Sequence, residues 1–372
     1  MNQPDDSNSI QRARKKVKVG SARVVSSLLA SVTLVGAVSL GVSWKLVDGV
    51  AQSVTPIASS TELKSLSAPI INARRNPQTL SQDVRFRTLR SQLTALGNRL
   101  PTDSCLIVDI EGQRIISVNA DASLLPASNM KLVVAMVALD VLTPEFVFST
   151  SLVGKVNGNA IEGDAYLIGG GDPLLVTGNY PVTEPYPTFN FTRFENLFDA
   201  LRSQGITQIR GSIVGDESRY DAERFSPSLG LGIKGTEVGP LGALMVNDGV
   251  ITGNPIKPDN PALGAATEFT NTLQNNGIAV TGTPKVGTAP QDLSVIAKIN
   301  SLPLSDIVAE MLTNSDNNTA ELLVKELGFA TTGVGSREAG LEVMKAKLVE
   351  WGIPLDALTF VDGSGLDRGN RL

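Results

Sequence analysis

Apolar and polar positions change their spacing several times along this chain, and each change predicts a different element. From Val24 to Ser43 the run carries no charge for 20 residues. As a helix it would be roughly 30 Å long, the thickness of a bilayer core, so a membrane-spanning helix is expected over 24–43. Residues 44–85 are polar and rich in Ser, Thr and Pro, which reads as a linker. Phe86, Leu89, Leu93 and Leu96 then recur at helical spacing before Gly97. Cys105 to Ile110 is apolar and β-branched, Glu111-Gly112-Gln113 reads as a turn, and Arg114 to Val118 returns, which predicts a hairpin with Cys105 as a buried thiol. Leu132 to Leu139 is apolar on nearly every side, the mark of a buried helix.

Between 158 and 294 the texture becomes short strands with many Gly and Pro. Two helix-then-strand units stand out there: Phe191–Gln204 with Ile206–Val214, and Ala265–Asn276 with Ile278–Thr283, with Gly205 and Gly277 where a helix C′ glycine belongs. From 295 the pattern is helical again. Ser305-Asp306 can cap a helix to about Thr313, and Thr319 to Leu327 forms the next, with Gly328 expected at its end. The organisation expected is a basic cytoplasmic tail (1–23), the anchor (24–43), the linker (44–85), a catalytic domain in two pieces (86–157 and 295–372) and an inserted domain (158–294).

Composition adjusts this picture in three ways. The formal net charge is −5, so no general nucleic-acid partner is expected. The basic residues Arg12, Arg14, Lys15, Lys16, Lys18 and Arg23 precede the apolar run directly. That asymmetry orients the chain with its N-terminus in the cytoplasm and the remainder outside, as a single-pass cell-membrane protein. The length of the run favours a retained anchor over a cleaved signal peptide, with Gly49-Val50-Ala51 as a weak cleavage candidate. Finally, the chain contains no histidine and one cysteine. Intramolecular disulfides, His-ligated zinc and Ser-His-Asp catalysis are all closed to it, and no metal or cofactor is expected.

A serine nucleophile without histidine needs another base. Lys131 is the one lysine with a serine three positions before it, and i, i+3 on a helix puts both side chains on one face. Ser128 and Lys131 are therefore candidates for nucleophile and general base. The bland alternative is that Ser128 only caps a helix and Lys131 lies along its surface. A second motif, Ser315-Asp316-Asn317, lies between two predicted helices. There Ser315 can relay a proton, and the Asn317 amide can bind a substrate peptide group through one donor and one acceptor. Its bland reading is a helix cap at Asn317 or Asn318.

Both motifs in this order resemble the penicillin-binding proteins and serine β-lactamases. The chain is more closely similar to the D-alanyl-D-alanine carboxypeptidases of peptidase family S13, the class C low-molecular-mass penicillin-binding proteins. Pro126–Leu132, Gly169–Pro173, Gly211–Asp216, Ser315–Glu321 and Asp362–Leu366 carry the resemblance, which covers roughly 85–372. It implies an α/β (α+β) penicillin-binding-protein/β-lactamase-like transpeptidase fold with an inserted domain. The implied activity is a β-lactam-sensitive serine D,D-carboxypeptidase, or D,D-endopeptidase, on peptidoglycan stem peptides. It implies an acyl-enzyme on Ser128, Lys131 as base, Ser315 as proton relay and Asn317 as substrate-binding residue. The family's third motif, Lys-Thr/Ser-Gly, does not occur here, so truncation at the C-terminus and weak activity of the chain as given are expected. A β-lactamase and a non-catalytic cell-wall-binding scaffold on the same fold are the alternatives.

Overall fold

A computed structural model of the chain describes residues 77–178, 180, 188–254 and 256–372. The expected membrane helix at 24–43 lies outside the described residues. Among the described residues no helix is long and apolar enough to cross a membrane. The chain divides into two units, Met1–Ser81 and Gln82–Leu372, and apart from the first residues of one helix everything below concerns the second.

Helix α1 (Pro77–Gly97) leads into a two-stranded hairpin, β1 (Leu106–Ile110) and β2 (Gln113–Val118). Glu111 and Gly112 both take positive φ, the two-residue turn that matches strand twist. The hairpin pairs with no third strand among those described. One of its faces stays wet, and Cys105 is exposed rather than buried. Ile107 on the same face is 44% exposed.

A single 3₁₀ turn, Ala127–Asn129, opens directly into helix α2 (Met130–Leu142). Helix α2 is buried at Met130, Lys131, Val134, Ala135, Val137, Ala138 and Leu142. Leu132 and Met136, four residues apart, remain about half exposed, so this helix has a wet face that its all-apolar sequence did not predict.

The larger sheet has seven strands: β3 (Ser149–Asn157), β4 (Ala160–Ile168), β7 (Gln208–Ile209), β8 (Ile213–Asp216), β9 (Ala279–Val280), β10 (Lys285–Val286) and β11 (Ser294–Asn300). Its main path runs β10-β8-β4-β3-β11, with β7 on β4 and β9 on β7. β3 is antiparallel to both β4 and β11, whereas β7 and β8 run parallel to successive stretches of β4. The single strand expected over Ile206–Val214 is thus broken in two. A small parallel pair, β5 (Leu175–Val176) with β6 (Thr192–Arg193), takes the residues that the helical pattern placed at the start of the first helix. Helix α3 is accordingly Glu195–Ser203, and α4 is Pro261–Asn275 with Asn260 as its cap. Phe194, Leu197, Leu201, Phe269 and Leu273 bury one face of each against the sheet, forming a first core.

The second core is helical. It joins α2 to α5 (Leu304–Asn314), α6 (Asn317–Thr332) and α7 (Arg337–Glu350) through Val134, Ala138, Met311, Leu323, Val324, Leu327 and Met344. Asp306 lies in the first turn of α5 but does not cap it. α6 does not stop at Gly328; it continues to Thr332, and Gly333 in the left-handed conformation ends it. Gly328 instead lets α7 approach: a Cβ there would fall 2.9 Å from Ala339 Cβ. Gly340 does the same from the other helix, where a Cβ would lie 1.8 Å from the Val324 carbonyl oxygen. Gly340→Ala must therefore push the helices apart, at about 3 kcal/mol. Thermal unfolding should show a melting point lower by several degrees. An unchanged melting point would contradict this packing.

Candidate active site

Three segments meet at one point: the 3₁₀ turn before α2, the α5–α6 junction, and the loop after Phe360. In the first, Ala127 has φ 47°, a left-handed conformation that costs a non-glycine residue about 1–2 kcal/mol. The loop explains what holds it there. Gly365, at φ +82°, packs so tightly that a Cβ would lie 1.8 Å from the Ala127 carbonyl oxygen. Ser128 follows, exposed, and makes no capping bond to α2. The plain capping role is thereby excluded. Lys131 is also no surface residue, since it is only 1% exposed.

Lys131 Nζ lies 3.1 Å from Ser128 Oγ, 2.7 Å from Asn317 Oδ1 and 2.9 Å from the Ser364 carbonyl oxygen. Ser315 Oγ lies 2.9 Å from Ser128 Oγ. The structure thus brings Ser128, Lys131, Ser315 and Asn317 together, although 186 residues separate Lys131 from Asn317. Burial lowers the Lys131 ammonium below its ordinary value, and the Asp316, Glu321 and Asp362 carboxylates pull it back part of the way.

The α5–α6 junction is built by two unusual residues. Ser315 ends α5 in the left-handed conformation (φ 55°, ψ 39°), which turns its hydroxyl toward Ser128. Asp316 caps α6, accepting from the Asn318 and Thr319 backbone N–H groups and from Thr319 Oγ1. The cap is therefore Asp316, not Asn317 or Asn318. Loss of solvent, and next the Asp248 carboxylate, push Asp316 up to about 6. With capping assigned to its neighbour, Asn317 is free to act in the site. Its Nδ2 donates to the Glu237 carbonyl oxygen at 2.8 Å, so both ends of the amide are engaged within the protein.

Residues outside the two sequence motifs complete the arrangement. Glu321 on α6 accepts from the Gly363 and Ser364 N–H groups at 3.1 and 2.7 Å. Asp362 accepts from the Gly365 and Asp367 N–H groups and from Asn370 Nδ2. Asn318 bonds the Gly239 N–H and Asp248, which also accepts from Tyr180. Asn318 and Glu321 lie in the Ser315–Glu321 stretch and Asp362 opens the Asp362–Leu366 stretch, both singled out above; a further signal is charge at Glu321, Lys325 and Glu326 around Leu322, Leu323, Val324 and Leu327, and all three are buried. A cleft of about 710 Å³ opens onto Ser128 and Ser315, with Tyr180, Glu237, Asp248 and Lys257 among its other walls. Among the described residues no group of three or more acidic or cysteine side chains could hold a metal ion. The site can perform nucleophilic attack by Ser128, with a desolvated amine one turn away and a second hydroxyl in proton-relay distance.

Comparison with known proteins converges on one family. The model of the D-Ala-D-Ala carboxypeptidase 3 (S13) family matches residues 98–255 and 247–372. A D-alanyl-D-alanine carboxypeptidase of Actinomadura sp. (strain R39) is 27% identical over 335 residues, 70% of this chain. A carboxypeptidase of Mycobacterium tuberculosis is 28% identical over 267 residues, 71% of this chain. The chain covers 60% and 56% of those two relatives' own lengths. Penicillin-binding protein 4 of Haemophilus influenzae shares the fold, with a TM-score of 0.62 at 21% identity over 75% of each chain. The same protein complexed with a β-lactam superposes with a TM-score of 0.56 at 22% identity, over 76% of this chain and 74% of that one. The two matched ranges together span 98–372, most of the chain, and the chain belongs to the D-Ala-D-Ala carboxypeptidase (S13) family.

Proposed function

We propose that this protein is a serine D,D-carboxypeptidase acting on peptidoglycan stem peptides, and that β-lactams acylate the same serine. The observation that carries this reading is the contact of a buried lysine amine with the exposed Ser128 hydroxyl in a chain without histidine. Neutral Lys131 removes the Ser128 proton as Oγ attacks the penultimate D-Ala carbonyl carbon. The resulting ammonium returns that proton, by way of Ser315 Oγ, to the amine of the departing D-Ala. Water then releases the acyl group from Ser128 and restores the hydroxyl. Where the departing amine belongs to a neighbouring stem instead of a free D-Ala, the same steps cleave a D,D cross-link, the endopeptidase variant of this chemistry.

Asn317 Nδ2 has two N–H bonds, so it can donate to a substrate carbonyl while keeping its bond to Glu237. The 158–294 block supplies Tyr180, Glu237, Asp248 and Lys257 to the cleft wall, which suits an insert that shapes substrate binding. The substrate class places the catalytic unit outside the cytoplasm. We assign the basic cluster and the apolar run at 24–43 to its export and membrane anchoring.

Fluorescent penicillin should label the full-length protein covalently, and Ser128→Ala should remove the label while leaving the melting curve unchanged. A folded parent that takes no label would favour the scaffold, and rapid label release with antibiotic turnover would favour a β-lactamase. The pH dependence has a fixed sign. Lys131 must be neutral to accept the proton, so acylation falls as pH drops through its value in the folded protein. Because burial lowers that value, the midpoint of the limb should lie below the ordinary lysine value of 10.5. A limb centred at or above 10.5 would contradict the assignment.

A further inference from the structure

A neutral primary amine carries two N–H bonds and one lone pair. Lys131 has three polar neighbours, so when it acts as a base two of them must accept its hydrogens. Asn317 Oδ1 and the Ser364 carbonyl oxygen are pure acceptors, at 2.7 and 2.9 Å. With both occupied, the lone pair is left pointing at Ser128 Oγ, 3.1 Å away. The direction of that lone pair is only as well fixed as the two acceptors.

Asn317 is fixed by its other end, which donates to the Glu237 carbonyl. Ser364 is harder to fix, because its carbonyl belongs to a backbone segment with no helix or strand partner. The peptide unit that carries it donates its Gly365 N–H to Asp362 Oδ1, and the two peptide units before it are held by one side chain. Glu321 Oε1 accepts from both the Gly363 and the Ser364 N–H groups, so the Ser364 backbone is tied on one side to Glu321 and on the other to Lys131. Glu321 is 3% exposed and sits four residues after Asn317, one helical turn along the same face of α6. Helix α6 thereby carries one acceptor and anchors the residue that carries the other.

Satisfying two buried N–H groups does not by itself call for a carboxylate, and an amide oxygen would do so at a smaller desolvation cost. The choice of an acid adds a negative charge beside the lysine. The charged groups facing Glu321 are Lys131 from α2, Asp362 from the loop and Arg337 from α7. Burial, and next Asp362, push Glu321 up to about 7. Above that pH its charge favours the Lys131 ammonium.

We propose that Glu321 is a positioning residue for Ser128 acylation: through the Gly363 and Ser364 N–H groups it anchors the residue whose carbonyl keeps the lone pair of neutral Lys131 on Ser128. Its charge beside the lysine also favours the ammonium. This rests on the acyl-transfer reading above.

The test uses the full-length protein with Glu321→Gln and Glu321→Ala. Penicillin acylation is followed across pH. The Lys131 midpoint is read separately by NMR titration of ¹³Cε-labelled lysine, the signal being assigned by its loss in Lys131→Ala. Glu321→Gln keeps an acceptor oxygen and removes the charge. Its Lys131 midpoint and the acid limb of acylation should both move to lower pH, with the plateau rate kept. Glu321→Ala should lower the plateau about tenfold to a hundredfold through misplacement of the amine. Should Glu321→Ala fail to fold, Glu321→Gln decides alone. A Lys131 midpoint unmoved in Glu321→Gln overturns the inference. A parent that takes no penicillin overturns the acyl-transfer reading instead, and the NMR midpoint still tests the link between Glu321 and Lys131.

Discussion

A lysine amine taken out of water is the constraint around which this unit is arranged. Lys131 is 1% exposed, and an ammonium so placed is costly unless acceptors surround it. Three do: a hydroxyl, an amide oxygen and a backbone carbonyl. They come from three segments far apart in sequence, so satisfying this one group ties α2, the α5–α6 junction and the 362–370 loop together. The same burial that makes the group expensive lowers its proton affinity, which is what a general base requires. Structure and chemistry draw on a single desolvation.

Backbone strain collects at the same place. Ala127 and Ser315, the residues that aim the two hydroxyls, both have positive φ without being glycine. Neither conformation is favoured locally, and each is held by its surroundings: Ala127 by the close approach of Gly365, Ser315 by the cap that Asp316 makes on the next helix. Such strain is characteristic of sites where geometry is over-determined by the fold. The Gly328 and Gly340 contacts serve this purpose at a distance, because they lock α7 against α6, the helix that carries Asn317 and Glu321.

Much of this was legible from residue types and spacing. The absence of histidine, the Ser128–Lys131 interval and the later Ser315–Asn317 pair point to residues that the structure brings together, because the two motifs are local signals. The hairpin turn at Glu111-Gly112 was legible for the same reason, and Gly205 and Gly277 do take positive φ just past their helices. What could not be read depends on contacts across the chain. Nothing near Ser364 in sequence says that its carbonyl meets Lys131, 233 residues away. Apolar content made Cys105 and the whole circumference of α2 look buried, but burial needs a covering layer, and the Cys105–Ile107 face of the hairpin and the Leu132–Met136 face have none among the described residues. Gly328 read as a helix stop because glycine is a good one; here tight helix packing required it instead.

The central claim is that the Lys131 amine activates Ser128. Mass spectrometry of the peptide bearing Ser128, sampled over time after penicillin is added, measures that step alone. The account predicts that Lys131→Ala, folded as the parent, accumulates the Ser128 adduct about 100- to 10,000-fold more slowly. Adduct forming on Ser128 at the parent rate would contradict it.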